Sequence, residues 1–287
     1  MLNGILPVYK EKNFSSFDVI RYIKKILSSE SKNQKIGHAG TLDPFAEGVL
    51  PVILGEATKA FNFLLESEKS YIAEIKFGAF TDSDDLTGNI IETFDKIPSI
   101  NEIENILPLF KGKIKQVPPA FSAVRINGKR AYEIARKNKE VTLREREVYI
   151  SNLEVKNYND GILTLKIDCS SGTYIRSLAR DIGKILNTGA YLLSLIRTKS
   201  SFIELKDCIK IKDITKENIN NFLISLNKVI NYPEINWQRE ENLIKNGVKI
   251  KANENLPDGK YKVVKDDKLL AIVEKKHKNF KYLRVFI

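Results

Sequence analysis

Apolar residues along this chain repeat with two different periods, and that mixture restricts the fold more than any other feature. From Phe17 to Leu27, and again from Ile175 to Leu186, they recur at the three- and four-residue spacing of an amphipathic helix. Elsewhere, short runs rich in β-branched and aromatic residues end at turn clusters of Gly, Asp and Asn, as at 71–80, 148–158 and 162–167. The sequence therefore predicts an α+β fold.

Length and charge distribution predict how the chain is divided. Its 287 residues correspond to about two domains at roughly 150 residues each. Within the stretch 98–147, residues 111–147 hold eleven Lys and Arg against four Glu, with Phe121 and Tyr132 among them, which favours an RNA-contacting segment over a merely solvated face. Towards the C-terminus, strand-like runs with twelve Lys and Arg against six Asp and Glu between 241 and 287 predict a small basic β domain.

The overall charge narrows the class of partner. A net charge of +11 and a pI near 9.4 favour a polyanion, either nucleic acid or an anionic membrane surface. No apolar run approaches the roughly 20 residues of a membrane span, and the N-terminus lacks a signal-peptide core, so we expect a cytoplasmic protein. Cys169 and Cys208 are predicted to be small buried residues in a reducing compartment, and with His38 and His277 as the two histidines no metal site is expected.

The stretch 35–59 is the first candidate for chemistry. Gly37, Gly40 and Gly48 permit tight backbone, and Pro44 pushes Asp43 out of the helical region, so a carboxylate would stand on a fixed loop beside a buried strand. Asp-Pro is also a common turn pair, and spacing alone favours a structural turn.

A second candidate lies at the start of the helix at 175–186. Arg176 is on a different face from the apolar residues of that helix, with Tyr174 just before it. A cation near a helix N-terminus opposes the helix dipole, so an arginine there indicates a carboxylate or phosphate partner rather than a simple surface position.

At this point the residues resemble a known family. The similarity to the TruB family of tRNA pseudouridine-55 synthases extends in order over residues 1 to about 210, and it is carried by GHAGTLDPFAEGVLP at 37–51, GEATK at 55–59, KSYIAEIKFGAFTDSDDLTG at 69–88, QVPPAFSAVRINGKRAYEIAR at 116–136, SSGTYIRSLARDIG at 170–183 and GAYLLSLIRT at 189–198. The tail ending in LRVF resembles, more weakly, the small PUA-type domain of the bacterial enzymes.

The resemblance implies an architecture and a partner. Residues 1–232 would form the catalytic domain, with a mixed or antiparallel sheet, flanking helices and a thumb-like insertion at 98–147, and residues 233–287 a PUA-like RNA-binding domain. The protein would be an isomerase that converts the T-loop uridine at position 55 of tRNA to pseudouridine. It would grip the T arm and acceptor stem as a monomer, without a cofactor, a metal, a membrane or a protein partner.

The resemblance also assigns roles to particular side chains. Asp43 would be the nucleophile, Arg176 would pair with it, and Tyr71 would stack on the uracil near its C5 proton. His38 would fill the space that the flipped base leaves in the T loop. Tyr174 and Leu195 would line the pocket that receives the base, and Asp85 would lie near that pocket.

Three other functions remain open. A tRNA-folding chaperone without turnover would share the basic and aromatic features but would not need Asp43 with Arg176. A guide-RNA-dependent relative would act with protein partners, whereas the segment at 116–136 favours the stand-alone type. A membrane-surface protein would need a basic amphipathic helix, which the sequence lacks.

Overall fold

The computed structural model describes residues 2–27, 34–65, 67–122, 124–126, 128–135, 142–250 and 256–287. The chain forms two compact units. Unit 1 contains Met1–Asp43, Val49–Glu66 and Phe202–Ile287, and unit 2 contains Pro44–Gly48 and Ser67–Ser201.

Strands and helices alternate irregularly along the described chain. The strands are β1 (Gly4–Lys10), β2 (Ile36–His38), β3 (Glu47–Leu54), β4 (Lys69–Phe77), β5 (Ala79–Thr81), β6 (Ile90–Thr93), β7 (Gly112–Gln116), β8 (Arg125–Ile126), β9 (Lys129–Arg130), β10 (Arg146–Asn159), β11 (Ile162–Cys169), β12 (Ala190–Ser200), β13 (Ile203–Glu204), β14 (Ile209–Lys210), β15 (Glu234–Asn236), β16 (Gly259–Lys265), β17 (Lys268–Lys276) and β18 (Asn279–Val285). The helices are α1 (Ser16–Leu27), α2 (Phe61–Leu65), α3 (Ile100–Ile106), α4 (Ala131–Ala135), α5 (Ile175–Leu186), α6 (Leu226–Val229) and α7 (Glu241–Lys245).

An antiparallel sheet is the framework of unit 2. Its strands lie in the order β12, β4, β11, β10 and β7. Along β4, buried and half-buried residues alternate strictly, as a sheet with one covered face requires, and α5 packs on β12. At Gly183 of α5 an added Cβ would lie 2.3 Å from the backbone nitrogen of Ala190, so only glycine allows this close approach.

In unit 1, helix α1 covers strands β1 and β3. The helix begins where Ser15 caps it, because the Ser15 hydroxyl accepts a hydrogen bond from the Asp18 amide at 3.1 Å. Its apolar face, including Val19, Ile20 and Ile23, packs against residues of β1 and β3. Strand β1 pairs in parallel with β14, and β2 pairs antiparallel with β3.

The C-terminal strands form a small sheet in the order β15, β16, β17 and β18. Its inner residues share one core with the N-terminal part of unit 1, since Val264, Leu269 and Ile272 cluster with Ile5 and Val49. The predicted α+β fold with a small β-rich C-terminal part is confirmed, while the domain boundary at 232/233 stays a prediction.

Two local expectations were wrong. The high Gly, Ser, Thr, Asp and Pro content of 31–48 predicts an ordered loop, but 36–38 form β2 and 47–48 begin β3, because the ladder between these strands outweighs that composition. Cys169 is buried but Cys208 is only half-buried, where it follows a 3₁₀ turn and its Sγ donates to the Glu204 carbonyl; neither cysteine forms a disulfide. Part of the predicted thumb-like insertion, namely 123, 127 and 136–141, lies outside the described residues.

Candidate active site

A buried amide fixes the beginning of α5. The Tyr174 N–H donates to Oε1 of Gln116 at 2.8 Å, and Nε2 of Gln116 donates to the Tyr174 carbonyl at 2.9 Å. Tyr174 is the N-cap residue but supplies no side-chain cap, so the amide of Gln116 holds its backbone instead. One turn further on, Ser177 Oγ donates to the Val117 carbonyl at 2.8 Å. The segment that begins at Gln116 is therefore tied to the first turn of α5.

Arg176 projects from this first turn into the interior of unit 2, where it is only 5% exposed. Its Nη1 lies 3.4 Å from Oδ2 of Asp85 and 3.4 Å from the Ser83 carbonyl oxygen, and its Nη2 donates to the Phe121 carbonyl at 3.0 Å. The structure therefore excludes a solvated surface arginine. The position of Arg176 near a helix N-terminus predicts a carboxylate or phosphate partner, and within unit 2 that partner is the carboxylate of Asp85.

The turn between β5 and β6 presents Asp85. Its Oδ1 accepts hydrogen bonds from Ser83 Oγ at 2.7 Å, from the Thr87 amide at 2.9 Å and from Thr87 Oγ1 at 2.5 Å. A bridge to Leu192 of β12 anchors the turn, and a Cβ added to Gly88 would lie 2.3 Å from Asp82 Oδ1. Close packing and local hydrogen bonds thus leave Oδ2 of Asp85 directed at Arg176.

A second buried ion pair, which the sequence did not reveal, lies beside the first. Arg180, one turn after Arg176, donates to Oδ2 of Asp84 at 2.8 Å, and its Nη2 donates to the Val117 carbonyl at 2.9 Å. Burial raises the pKa of Asp84 to about 6, although the charge of Arg180 opposes that shift. Asp84 also has a left-handed backbone with φ of 62°. No spacing or periodicity in the sequence indicates that Asp84 and Arg180 form a pair.

Tyr71 and Leu195 lie on the same buried face of the sheet. Leu195 on β12 is opposite Ala73 on β4, two residues after Tyr71, which places their side chains as diagonal neighbours. Directly opposite Tyr71 on β12 is Arg197, which is only 1% exposed and was not singled out in the sequence. The burial of Lys69, together with the charge of Arg197, lowers the pKa of Lys69 to about 8.

Asp43 and His38 belong to unit 1. The loop before Asp43 is fixed there, because the Ser16 hydroxyl both donates to the Leu42 carbonyl at 3.1 Å and accepts from the Leu42 amide at 2.9 Å. Asp43 itself is half-buried, and His38 lies in β2 opposite Val52. The pairing of Asp43 with Arg176 stays a prediction.

The described residues contain no cluster of three or more His, Cys, Asp or Glu that could hold a metal ion. Within the same residues, no helix is long and apolar enough to cross a membrane.

Comparison with known proteins identifies the family. Residues 24–175 match the model of the N-terminal domain of TruB family pseudouridylate synthases. The "tRNA pseudouridine synthase B" of Clostridium tetani is 40% identical over 293 residues, covering 100% of both chains. The chain belongs to the TruB family. The protein of the same name from Borreliella burgdorferi is 37% identical over 290 residues, again covering 100% of both chains.

The solved structures agree with this family assignment. A chain of a Cbf5–Nop10–Gar1 complex matches with a TM-score of 0.72 and 25% identity, covering 99% of this chain and 85% of that one. The expected pseudouridine synthase fold is confirmed, and so is the expectation that this TruB chain is an isomerase of the pseudouridine synthase class.

Proposed function

We propose that this TruB family member converts the uridine at position 55 in the T loop of tRNA to pseudouridine. The observation that carries the proposal is the burial of Arg176 on Asp85 and on two backbone carbonyls. A protein that only bound RNA would use arginine at its surface, against phosphates, and would gain nothing from desolvating it. The name of the full-length relatives, tRNA pseudouridine synthase B, supports tRNA as the substrate.

The reaction is an internal rearrangement. The bond between N1 of uracil and C1′ of ribose breaks, the base rotates, C5 bonds to C1′, C5 loses its proton and N1 gains one. No electrons leave the substrate, so the proposed chemistry needs no redox cofactor. Two routes use the Asp43 carboxylate: it attacks C1′ to form a covalent adduct, or it removes the C2′ proton so that a glycal forms. A deuterium isotope effect at C2′ would distinguish them.

The role assigned to Arg176 is to keep the Asp43 carboxylate ionised and correctly oriented. A guanidinium whose position is set by Asp85 and the Phe121 carbonyl would hold a second carboxylate ionised and aimed in a desolvated pocket. Asp85 is thus a positioning residue that acts through Arg176.

The other predicted side chains would hold the flipped nucleotide. The Tyr71 ring would stack on the uracil with its hydroxyl near C5, while Leu195 and Tyr174 line the pocket. His38 would fill the space that the base leaves in the T loop, which helps to offset the few kcal/mol that base flipping costs. Basic residues of the thumb-like insertion and the C-terminal sheet would contact phosphates of the T arm and acceptor stem.

The deciding experiment is incubation of the purified protein with an unmodified tRNA transcript, followed by pseudouridine mapping nucleotide by nucleotide. We expect modification at position 55 without guide RNA, added protein or metal. Asp43→Asn should abolish it and leave tRNA binding intact, because the amide keeps the shape of the side chain but is neither anionic nor nucleophilic. Asp213→Asn, an exposed carboxylate of unit 1, is the matched control.

Each alternative predicts a different result. Activity that requires a guide RNA would indicate the guide-dependent type. If wild type and Asp43→Asn refold a misfolded transcript equally well and neither makes pseudouridine, the protein is a chaperone. Loss of both binding and modification in Asp43→Asn would make Asp43 a structural residue.

A further inference from the structure

Helix α1 exposes an aromatic ring to solvent. Phe17, in the first turn, is 60% exposed, although the same helix buries Val19, Ile20 and Ile23 in the core of unit 1. The solvent face continues with exposed Arg21 and Lys24, four and seven residues further along. These three side chains therefore form one stripe on a single face, spread over about 10 Å of the helix axis. We call Phe17, Arg21 and Lys24 the α1 stripe.

Local contacts hold the first part of this stripe in place. The guanidinium carbon of Arg21 lies 5.4 Å from the centroid of the Phe17 ring, and Arg21 Nη1 lies 3.1 Å from Oδ1 of Asp18. Asp18 is itself fixed by Ser15, whose hydroxyl donates to its Oδ2 at 2.6 Å. A planar cation and a planar ring are thus kept together at the surface, and both stack well on nucleobases.

The α1 stripe connects two parts of unit 1 that the proposed function uses. At one end, Ser16, which precedes Phe17, hydrogen-bonds both backbone groups of Leu42, the residue before Asp43. At the other end, Lys24 lines a surface cavity of about 430 Å³ together with Lys35 and His38. A strand of RNA that follows the stripe would pass beside the loop that carries Asp43 and reach this basic cavity.

We propose that the α1 stripe is a binding site for an unpaired T-loop nucleotide next to the target uridine, with the Phe17 ring stacked on its base and Arg21 and Lys24 on the adjoining phosphates. The proposal rests on the proposed function, because it takes the T loop as the substrate. The charge of the stripe is complementary to RNA, in line with the net charge of +11. A protein partner would call for a continuous apolar patch, which the charges of Arg21 and Lys24 interrupt.

Equilibrium binding to an unmodified tRNA transcript at several salt concentrations tests the stripe. Phe17→Ala should raise Kd about 5- to 150-fold, the effect of losing one base–aromatic stack, without changing the salt dependence. Arg21→Ala and Lys24→Ala should each reduce the steepness of the slope of log K against log salt concentration by about 0.7, the value for one phosphate contact of a single strand. Phe17→Tyr should restore binding because it keeps the ring, whereas Phe17→Leu should not.

An abasic substrate identifies the nucleotide. Transcripts with a single abasic site at each T-loop position around the target are compared with wild type and Phe17→Ala. At the stacked position, removing the base should eliminate the effect of Phe17→Ala, whereas the other positions should leave it unchanged. Phe222→Ala, an exposed ring elsewhere in unit 1, and Lys184→Ala, an exposed lysine of unit 2, are the controls.

The outcomes separate this inference from the proposed function. If the wild-type protein makes no pseudouridine in tRNA, the proposed function fails. If wild type modifies position 55 but Phe17→Ala binds as tightly as Phe222→Ala, or no abasic site cancels the Phe17→Ala effect, the α1 stripe is not a nucleotide site. Weaker binding with a matching fall in Tm and no rescue by Phe17→Tyr would assign Phe17 a structural role instead.

Discussion

Asp85→Asn is the change that most directly tests how unit 2 holds its buried arginine. In the wild-type protein Oδ1 of Asp85 accepts three hydrogen bonds from Ser83 and Thr87, while Oδ2 lies 3.4 Å from Nη1 of Arg176. Asparagine keeps an oxygen for the first set but turns an NH₂ group towards the guanidinium. Arg176 then loses its carboxylate and meets another donor, while the turn keeps its internal bonds.

The magnitude follows from the burial of the pair. The side chains of Arg176 and Asp85 are 6% and 5% exposed, so solvent screens them little. Removing one partner of such a pair costs about 3–5 kcal/mol, and the retained turn bonds favour the lower end, about 3 kcal/mol. In units of this size, that corresponds to a fall in Tm of about 6–12 °C. The single-turnover rate at saturating enzyme should fall by at least about 100-fold, the effect of misplacing a catalytic group by about 1 Å.

Asp82→Asn provides the comparison within the same turn. Asp82 is exposed and accepts from the amide and the side chain of Asn89, with no arginine in contact among the described residues. Its substitution should change the free energy of unfolding by less than about 1 kcal/mol and leave the rate unchanged. If Asp85→Asn behaves like Asp82→Asn in both measurements, Asp85 does not hold Arg176 and the reasoning is refuted.

Three further predictions concern the Tyr71 hydroxyl, the ion pair of Asp84 with Arg180, and the C-terminal sheet. Tyr71→Phe should bind tRNA with near wild-type affinity and react far more slowly in single turnover, and a normal rate would remove the hydroxyl from the mechanism. Because burial raises the pKa of Asp84 from 3.8 to about 6, its contribution to stability relative to Asp84→Asn is complete below about pH 4. That contribution should decline by about 3 kcal/mol as the pH rises to 6, as denaturant unfolding across this range would show. Reversing the charge of exposed Lys276, Lys281 and Arg284 should weaken tRNA binding and reduce its salt dependence, while the modified nucleotide stays the same. Modification at another nucleotide would show that this sheet determines which nucleotide is modified.

Elements with strong periodic patterns could be predicted from the sequence almost to the residue. The expected helix at 17–27 is Ser16–Leu27, and the second, at 175–186, is Ile175–Leu186. Both have an apolar face that repeats over three turns, and the second also has a glycine, Gly183, where α5 approaches Ala190. Local periodicity determines such elements because the buried face is specified every three or four residues.

The contacts of the candidate site could not be predicted in the same way, because their partners are far apart in the chain. Asp84 and Arg180 are 96 residues apart, and the Phe121 carbonyl lies 55 residues from Arg176. Nothing in the period or composition around these positions encodes such a pair. The charge of residues 111–147 predicts RNA contact and gives no sign of a role in the fold, whereas Gln116 within them is bound to the N-terminus of α5.

Substitutions of buried and of exposed cations should affect the salt dependence of RNA binding differently. This difference distinguishes residues that act in the reaction from residues that bind RNA. Arg176 and Arg180 lie against Asp85 and Asp84, so their charges are balanced inside unit 2 and release no counterions when RNA binds. Exposed cations that contact phosphates, as proposed for Lys24, would release them. Substitutions at the buried arginines should therefore change the single-turnover rate and leave the salt dependence of binding unchanged, whereas substitutions at exposed lysines should do the reverse. An altered salt dependence in Arg176→Gln would mean that the buried arginine contacts RNA phosphate, contrary to the role assigned to it.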